Sequence, residues 1–235
     1  MKAGSLDKHD VDRKVGGADR SPFEHVYRSI LRRLYEGSFV PGQRLVAPDL
    51  MREYGVGRGT IREILQRLAS TGVVTIEPNK GARVRRLTRA ETAGLLDIVE
   101  VLLGLAARGA ARAVRNAAAR DELRSLYQAM KRIDSHADFQ GFLRARERYY
   151  RFIVAAPDNS ELQRVFPATQ VQIMRAQLRS FDRAGDSAEL SDYVDLNRAI
   201  LSGHEELAEL AGRAHVKKTM NRVLALPDRA FEPAG

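Results

Sequence analysis

The sequence predicts a mainly α protein, with an N-terminal winged helix-turn-helix followed by an all-α antiparallel six-helix bundle. Three observations predict it. Residues 47–86 hold two helical patterns parted by a glycine and followed by a β-branched hairpin. From Thr88 onward helix follows helix with no further strand signal. Charge divides at the same point: residues 1–86 carry 17 Lys+Arg against 10 Asp+Glu, and the remainder 22 against 20. A head of net +7 on a body of +2 is the electrostatic footprint of a domain that grips a polyanion.

The first elements follow in order. Residues 1–21 are polar and glycine-containing, with no hydrophobic stretch, and read as a disordered tail. Phe23, Val26, Tyr27, Ile30, Leu31 and Leu34 then mark one face of an amphipathic helix closed by Gly37. Pro41-Gly42 turns the chain into a short extended piece, Arg44-Leu45-Val46. A second helix spans about Pro48 to Tyr54, with proline suited to its first turn and Gly55 to its left-handed stop.

The third helix carries the chemistry. Ile61, Ile64, Leu65 and Leu68 fall on one buried face, and Arg58 and Arg62 stand one turn apart on another. A recognition helix places its N-terminal side chains in the major groove, where arginine reaches a guanine edge or a phosphate with a planar fork. Thr60 can donate to phosphate, and Gly57 and Gly59 let backbone and DNA approach closely. Val73, Val74, Thr75 and Ile76, the turn cluster Pro78-Asn79-Lys80-Gly81 and the returning Ala82-Arg83-Val84 form a hairpin. Tipped by Asn79, Lys80, Gly81 and Arg83, it is suited as a wing along the DNA backbone or minor groove.

Residues 22–86 resemble the DNA-binding domain of the GntR transcription regulators. The resemblance rests on "VYRSILRRLYEGSFVPGQRLV", "LMREYGVGRGTIREILQRLASTGVV" and "NKGARV". It implies Arg58 and Arg62 as the main DNA-contacting arginines, with Gly81 at the wing tip. The chain departs from the family where Pro48-Asp49 replaces a basic or acidic pair at the start of the motif's first helix, and where Gly57 replaces a usual serine or threonine and Gly59 a small polar residue. The latter two are the departures that bear on phosphate, since both remove side chains that could hold it.

In the second region Thr88-Arg-Ala-Glu91 reads as a capping box opening a long helix to about Ala119. Asp121 caps the next, through Ser135, and Asp138 a third, through Ala155. Asn159 or Ser160 opens a fourth to Phe181, bent at Pro167. Asp186 or Ser187 precedes a fifth to Leu201, and the sixth spans Glu205 to Leu226, leaving residues 227–235 as a C-terminal tail. Short connections favour antiparallel neighbours. The runs "LLGLAARGAARAV", "APDNSELQRVF" and "LNRAILSGHEELAELAGRAHV" resemble the helical FCD effector domain of FadR-type regulators, and a count of six helices points towards the VanR-like subgroup.

That resemblance brings an expected metal site: an aspartate, a histidine four residues on, and two further histidines. Those positions fall on Arg146, Tyr150, Tyr193 or a neighbour, and His215, so no metal or other cofactor is expected. Arg146, Tyr149, Tyr150, Tyr193 and His215, with Arg175 as a second cation, instead suggest a pocket for a small organic acid, paired to a guanidinium. The alternative for Arg146 is a solvated residue in the basic run RARERYYR.

There is no cysteine, which excludes disulfides and thiolate metal sites. No apolar run reaches transmembrane length, and the N-terminus lacks a signal-peptide core, so a cytoplasmic protein without membrane attachment is expected. The five histidines (9, 25, 136, 204 and 215) are scattered, and no hydrolase or phosphate-loop motif is present, which argues against an enzyme. The expected partners are double-stranded DNA, a second copy of the chain and a small carboxylic acid. The expected function is a dimeric operator-binding regulator, most simply a repressor, modulated by that acid. A ligand-independent DNA-binding protein, its bundle serving dimerisation or partner binding alone, is the alternative.

Overall fold

The computed structural model describes residues 21–77, 81–133, 137–179, 181 and 190–233. The head begins with α1 (Pro22–Glu36), whose N-cap Ser21 accepts a hydrogen bond from the Glu24 amide at 3.3 Å. Gly37 ends it at φ +85°, a left-handed conformation that glycine adopts without a Cβ penalty. β1 (Arg44–Leu45), α2 (Ala47–Tyr54) and α3 (Arg58–Ser70) follow. β2 (Val74–Glu77) and β3 (Gly81–Val84) complete an antiparallel sheet of order β1-β3-β2. The extended piece before α2 thus pairs with the hairpin, Arg44 opposite Arg83 and Leu45 opposite Ala82.

The head core is the set that the periodicity selects: Val26, Ile30 and Leu34 of α1 against Ile61, Ile64 and Leu68 of α3, floored by Val73, Val74 and Val84. One member comes from elsewhere. Ile173, fully buried, belongs to the second region and seals this core from below.

The bundle contains α4 (Arg89–Ala113), α5 (Ala117–Lys131), α6 (Phe139–Ala155), α7 (Ser160–Val165), α8 (Ala168–Leu178), α9 (Leu190–Leu201) and α10 (Glu205–Leu224). The Thr88–Glu91 capping box opens α4 as expected: the Glu91 amide donates to Thr88 Oγ1 at 3.1 Å, and the Thr88 amide to Glu91 Oε2 at 2.8 Å. Three boundaries differ from the sequence reading, each for a local reason. The first helix stops at Ala113 rather than about Ala119, because Asn116 Oδ1 accepts from the Ala118 amide at 2.9 Å and caps a new helix. Asn116, not Asp121, is therefore the cap, and its side chain overrides the helix propensity of the alanine run.

The fourth expected helix is broken, not bent. Phe166 leaves helical geometry before Pro167, which has no N–H to continue the ladder, and α7 and α8 separate there. With that break, seven helices lie in the bundle among the described residues, so a count of six no longer favours one subgroup. The third difference is at the C-terminus. Residues 227–233, expected as a tail, fold back: a 3₁₀ turn over Asp228–Ala230 buries Ala230 and Phe231, and the Glu232 amide donates to the Leu87 carbonyl at 3.0 Å. The expected caps Asp186 and Ser187, and the tail up to Arg20, lie outside the described residues.

α4 and α10 form the spine of the bundle. Their backbones approach so closely that a Cβ on Gly212 would lie 2.9 Å from the Leu103 carbonyl oxygen, which is why alanines and glycines line this contact. Where head meets bundle, Gln177 of α8 is wholly engaged. Its Oε1 accepts from the Leu87 amide at 2.7 Å, and its Nε2 donates to the Leu87 and Ala230 carbonyls at 2.8 and 2.9 Å. One side chain thus ties the interdomain connection, α8 and the C-terminal segment together.

Candidate DNA-binding surface and ligand cavity

The outward face of α3 is built by contrast with its buried one. Ile61, Ile64 and Leu68 have no exposed surface, which forces Arg58 and Arg62 into solvent. Neither arginine makes a hydrogen bond or ion pair with the described residues. Some other head arginines are occupied: Arg33 bonds Glu53 at 2.6 Å, and Arg28 bonds Glu24 at 2.5 Å. Arg85 pairs with Glu91 and Arg86 with Glu232, so these two serve the junction.

Gly57 is the N-cap of α3, at φ −71° and ψ 163°, with no side chain to cap the first turn. Its backbone is ordinary, and a Cβ on Gly57 or on Gly59 would meet nothing within 4 Å. Nothing inside the protein demands glycine at either position. Their absence of side chains leaves the first-turn amides of α3 open, at the positive end of the helix dipole where phosphate binds. Thr60 is half-buried beside them.

On the wing, Gly81 is exposed at φ +86°, as a tight hairpin end requires. Arg83 is held in place, its Nη1 donating to the Gly42 carbonyl at 2.7 Å and its Nε 3.6 Å from Glu77. Asn79 and Lys80 lie outside the described residues. Sequence reasoning missed Arg44. Strand register sets it opposite Arg83, exposed, with Thr75 on the far side of Arg83. Only the pairing of β1 with β3 reveals that row.

The second candidate site is a cavity of about 330 Å³ among α4, α6, α8 and α10. Arg146, Tyr150, Arg175 and His215 of the predicted set line it, with Phe166 and Met174 among the apolar residues. Tyr149 and Tyr193 are not in its wall but stand directly behind it. Their rings lie 6.1 Å apart, and Tyr193 is 5.1 Å from the His215 ring. Arg146 is only 3% exposed, which excludes the solvated alternative for this residue.

Tyr150 and His215 share a hydrogen bond of 2.5 Å, and the Arg175 guanidinium sits 5.4 Å over the Tyr150 ring. Burial pushes the Tyr150 phenol far above its usual range, with neighbouring Tyr193 adding to it. Tyr149 is raised in the same way, and its hydroxyl is buried without a hydrogen-bond partner among the described residues. These phenols stay protonated and neutral. The positions mapped to a family metal site thus hold a guanidinium, two phenols and one imidazole, a donor set that does not suit a divalent ion. Among the described residues no group of three or more His, Cys, Asp or Glu side chains gathers anywhere.

Tyr35, near the end of α1, is also in the cavity wall. No pattern in the sequence linked this head residue to the bundle.

A three-helix head with an antiparallel wing, presenting Arg58 and Arg62 outward from its third helix, defines a winged helix-turn-helix DNA-binding protein with a helical second domain. Residues 22–84 match the family model described as bacterial regulatory proteins, gntR family, and residues 95–218 match the FCD domain model. The chain is 27% identical over 191 residues to a probable D-xylose utilization operon transcriptional repressor of Paenarthrobacter nicotinovorans, covering 80% of this chain and 82% of that one. It is 38% identical over 91 residues to a fatty acid metabolism regulator protein of Shewanella amazonensis, a match spanning 38% of this chain and 37% of the relative.

Among solved structures, E. coli McbR/YncC superposes with a TM-score of 0.74 at 17% identity, covering 86% of this chain and 97% of that one. A putative GntR regulator from Rhodococcus sp. RHA1 gives 0.71 at 18%, with 87% and 98% covered. These likenesses bear on the fold. The chain belongs to the GntR family of bacterial transcription regulators, in its FadR-type branch with an FCD domain. The family is one of transcription regulators, and among the described residues no helix is long and apolar enough to cross a membrane.

Proposed function

We propose that this protein is a cytoplasmic, homodimeric regulator that holds two heads on a pseudo-palindromic operator and represses until a small organic acid enters the bundle. The observation that carries the proposal is the cavity, in which two guanidiniums, Arg146 and Arg175, face a space of about 330 Å³. A volume at the lower end of ligand pockets suits a compact molecule. Paired arginines suit a carboxylate, and the aromatic wall suits an acid that carries a ring. No metal takes part, because the cations are supplied by the chain itself. The cavity favours ligand control over a bundle that serves dimerisation alone.

Dimerisation is supported by an exposed apolar stripe. Ile98, Val101 and Leu105 along α4 are 55, 49 and 44% exposed, and Leu207 and Leu210 on neighbouring α10 are 56 and 63%. Five large apolar side chains on two adjacent helices suit a self-complementary two-fold contact. Such a dimer sets both α3 helices into successive major grooves, and the acid acts by binding one head arrangement better than the other.

Footprinting locates the operator, and a panel of organic acids screened for loss of operator binding then identifies the effector. Calorimetry is expected to show that effector binding is lost in Arg146→Ala. Full effector affinity in that variant would sink the anchor role. A monomer by light scattering that binds the operator with unchanged affinity would sink the dimer.

A further inference from the structure

The cavity in the bundle is lined in part by a residue of the head. Tyr35 leaves the last turn of α1, enters the cavity wall beside Arg146 and Arg175, and donates its hydroxyl to the Leu143 carbonyl of α6. Burial raises that phenol's pKa, and the charge of Arg146, which shares the cavity wall, opposes the rise. The surrounding contacts make this a built joint. Arg179 Nη2 donates to the Tyr35 carbonyl at 2.7 Å, and Gln140 Nε2 to the Glu36 carbonyl at 3.0 Å. Both satisfy carbonyls at the C-terminal end of α1 that no helical amide can reach.

α8 joins the same two compartments. Ile173 is buried in the head core, and the next two residues, Met174 and Arg175, face the cavity. A ligand against Arg175 therefore lies two residues along α8 from a side chain that packs under α1 and α3.

We propose that the head contributes to the wall of the acid-binding site, with Tyr35 as a positioning residue that latches the head to the bundle and competes with the acid for Arg146. The ligand half of this rests on the acid-site reading above; the latch half does not. A carboxylate is a stronger partner for a guanidinium than a neutral phenol is. An acid that takes Arg146 and Arg175 withdraws Arg146 from Tyr35 and loosens the latch, so occupancy is read by the head without a relay through the interdomain connection. Coupling of this kind is reciprocal: what loosens the latch also strengthens acid binding.

The test uses the full-length protein and Tyr35→Phe, which keeps the ring and removes the hydroxyl. Hydrogen exchange of the segment 33–39 reports the latch, and calorimetry with benzoate, with benzyl alcohol as the neutral control, reports the site. Tyr35→Phe is expected to exchange faster over 33–39 and to bind benzoate about two- to tenfold more tightly, the worth of one hydrogen bond. Wild type saturated with benzoate should show the same faster exchange, and benzyl alcohol should do neither. A merely structural tyrosine would weaken benzoate binding or leave it unchanged, and either result overturns the proposal. If benzoate binds neither protein, the acid reading of the site fails with it. Exchange then decides the latch alone: faster exchange in Tyr35→Phe keeps it and unchanged exchange removes it.

Discussion

The head and the bundle place their functional side chains in opposite ways. In the head the candidate residues point outward, from one short stretch of chain: Arg58 and Arg62 are exposed because the other face of α3 is filled. In the bundle they point inward, and Arg146, Arg175 and His215 meet from three separate helices. The difference suits the ligand proposed for each region. A rigid polyanion larger than the protein needs an exposed, convex set of donors, whereas a small acid needs a concave site that excludes water. It also fixes how each site fails, since an outward arginine carries little folding energy and an inward one is held by its neighbours.

The boundary between the two regions is the first place to break that contrast. Ile173 belongs to α8 yet is buried in the head core. Ile173→Ala should cost about 2–5 kcal/mol by transfer and cavity terms. The loss should appear in the head, as a lower unfolding midpoint and faster hydrogen exchange in α1 and α3. A head that keeps its protection would mean that the two regions fold independently.

A smaller effect is expected at the outward face. Arg62→Ala should lose about 1–3 kcal/mol of operator binding and flatten discrimination at one base pair, with folding stability unchanged. Quantitative binding to operator variants checks this. A uniform loss with a shallower salt dependence would instead assign Arg62 to phosphate.

The smallest effect concerns the uncapped start of α3. Gly57→Ser supplies an N-cap hydroxyl in a position where a Cβ meets nothing, and should raise stability by a few tenths of a kcal/mol. Denaturant unfolding measures the gain. A destabilised variant would show that glycine is needed there for the fold and not for close approach to DNA.

Legibility differed between the regions in the same sense as their geometry. The head was readable because each element announces itself locally: the Gly37 and Gly55 stops, the buried face of α3 and the hairpin all lie within a few residues of what they organise. The bundle was readable as helices and less so as boundaries. Asn116 gives a faint cap signal within an alanine-rich run, and Pro167 signals a bend where the chain in fact breaks. The cavity residues were legible as a set only through resemblance, and the set was incomplete. Tyr149 and Tyr193 stand behind the wall, Tyr35 stands in it, and Arg44 joins the wing row through strand register.

The sequence by itself determined the class of fold, the amphipathic helix with arginines on its outer face and the charge division, because periodicity, caps and net charge are local properties of a chain. Tertiary structure decided which side chains share a space. It buried Arg146, folded residues 227–233 back onto the bundle, lent Ile173 to the head and set Tyr35 in the cavity wall. Those outcomes depend on contacts between residues more than a hundred positions apart, such as Tyr35 with Leu143, and no local pattern encodes a partner at that distance.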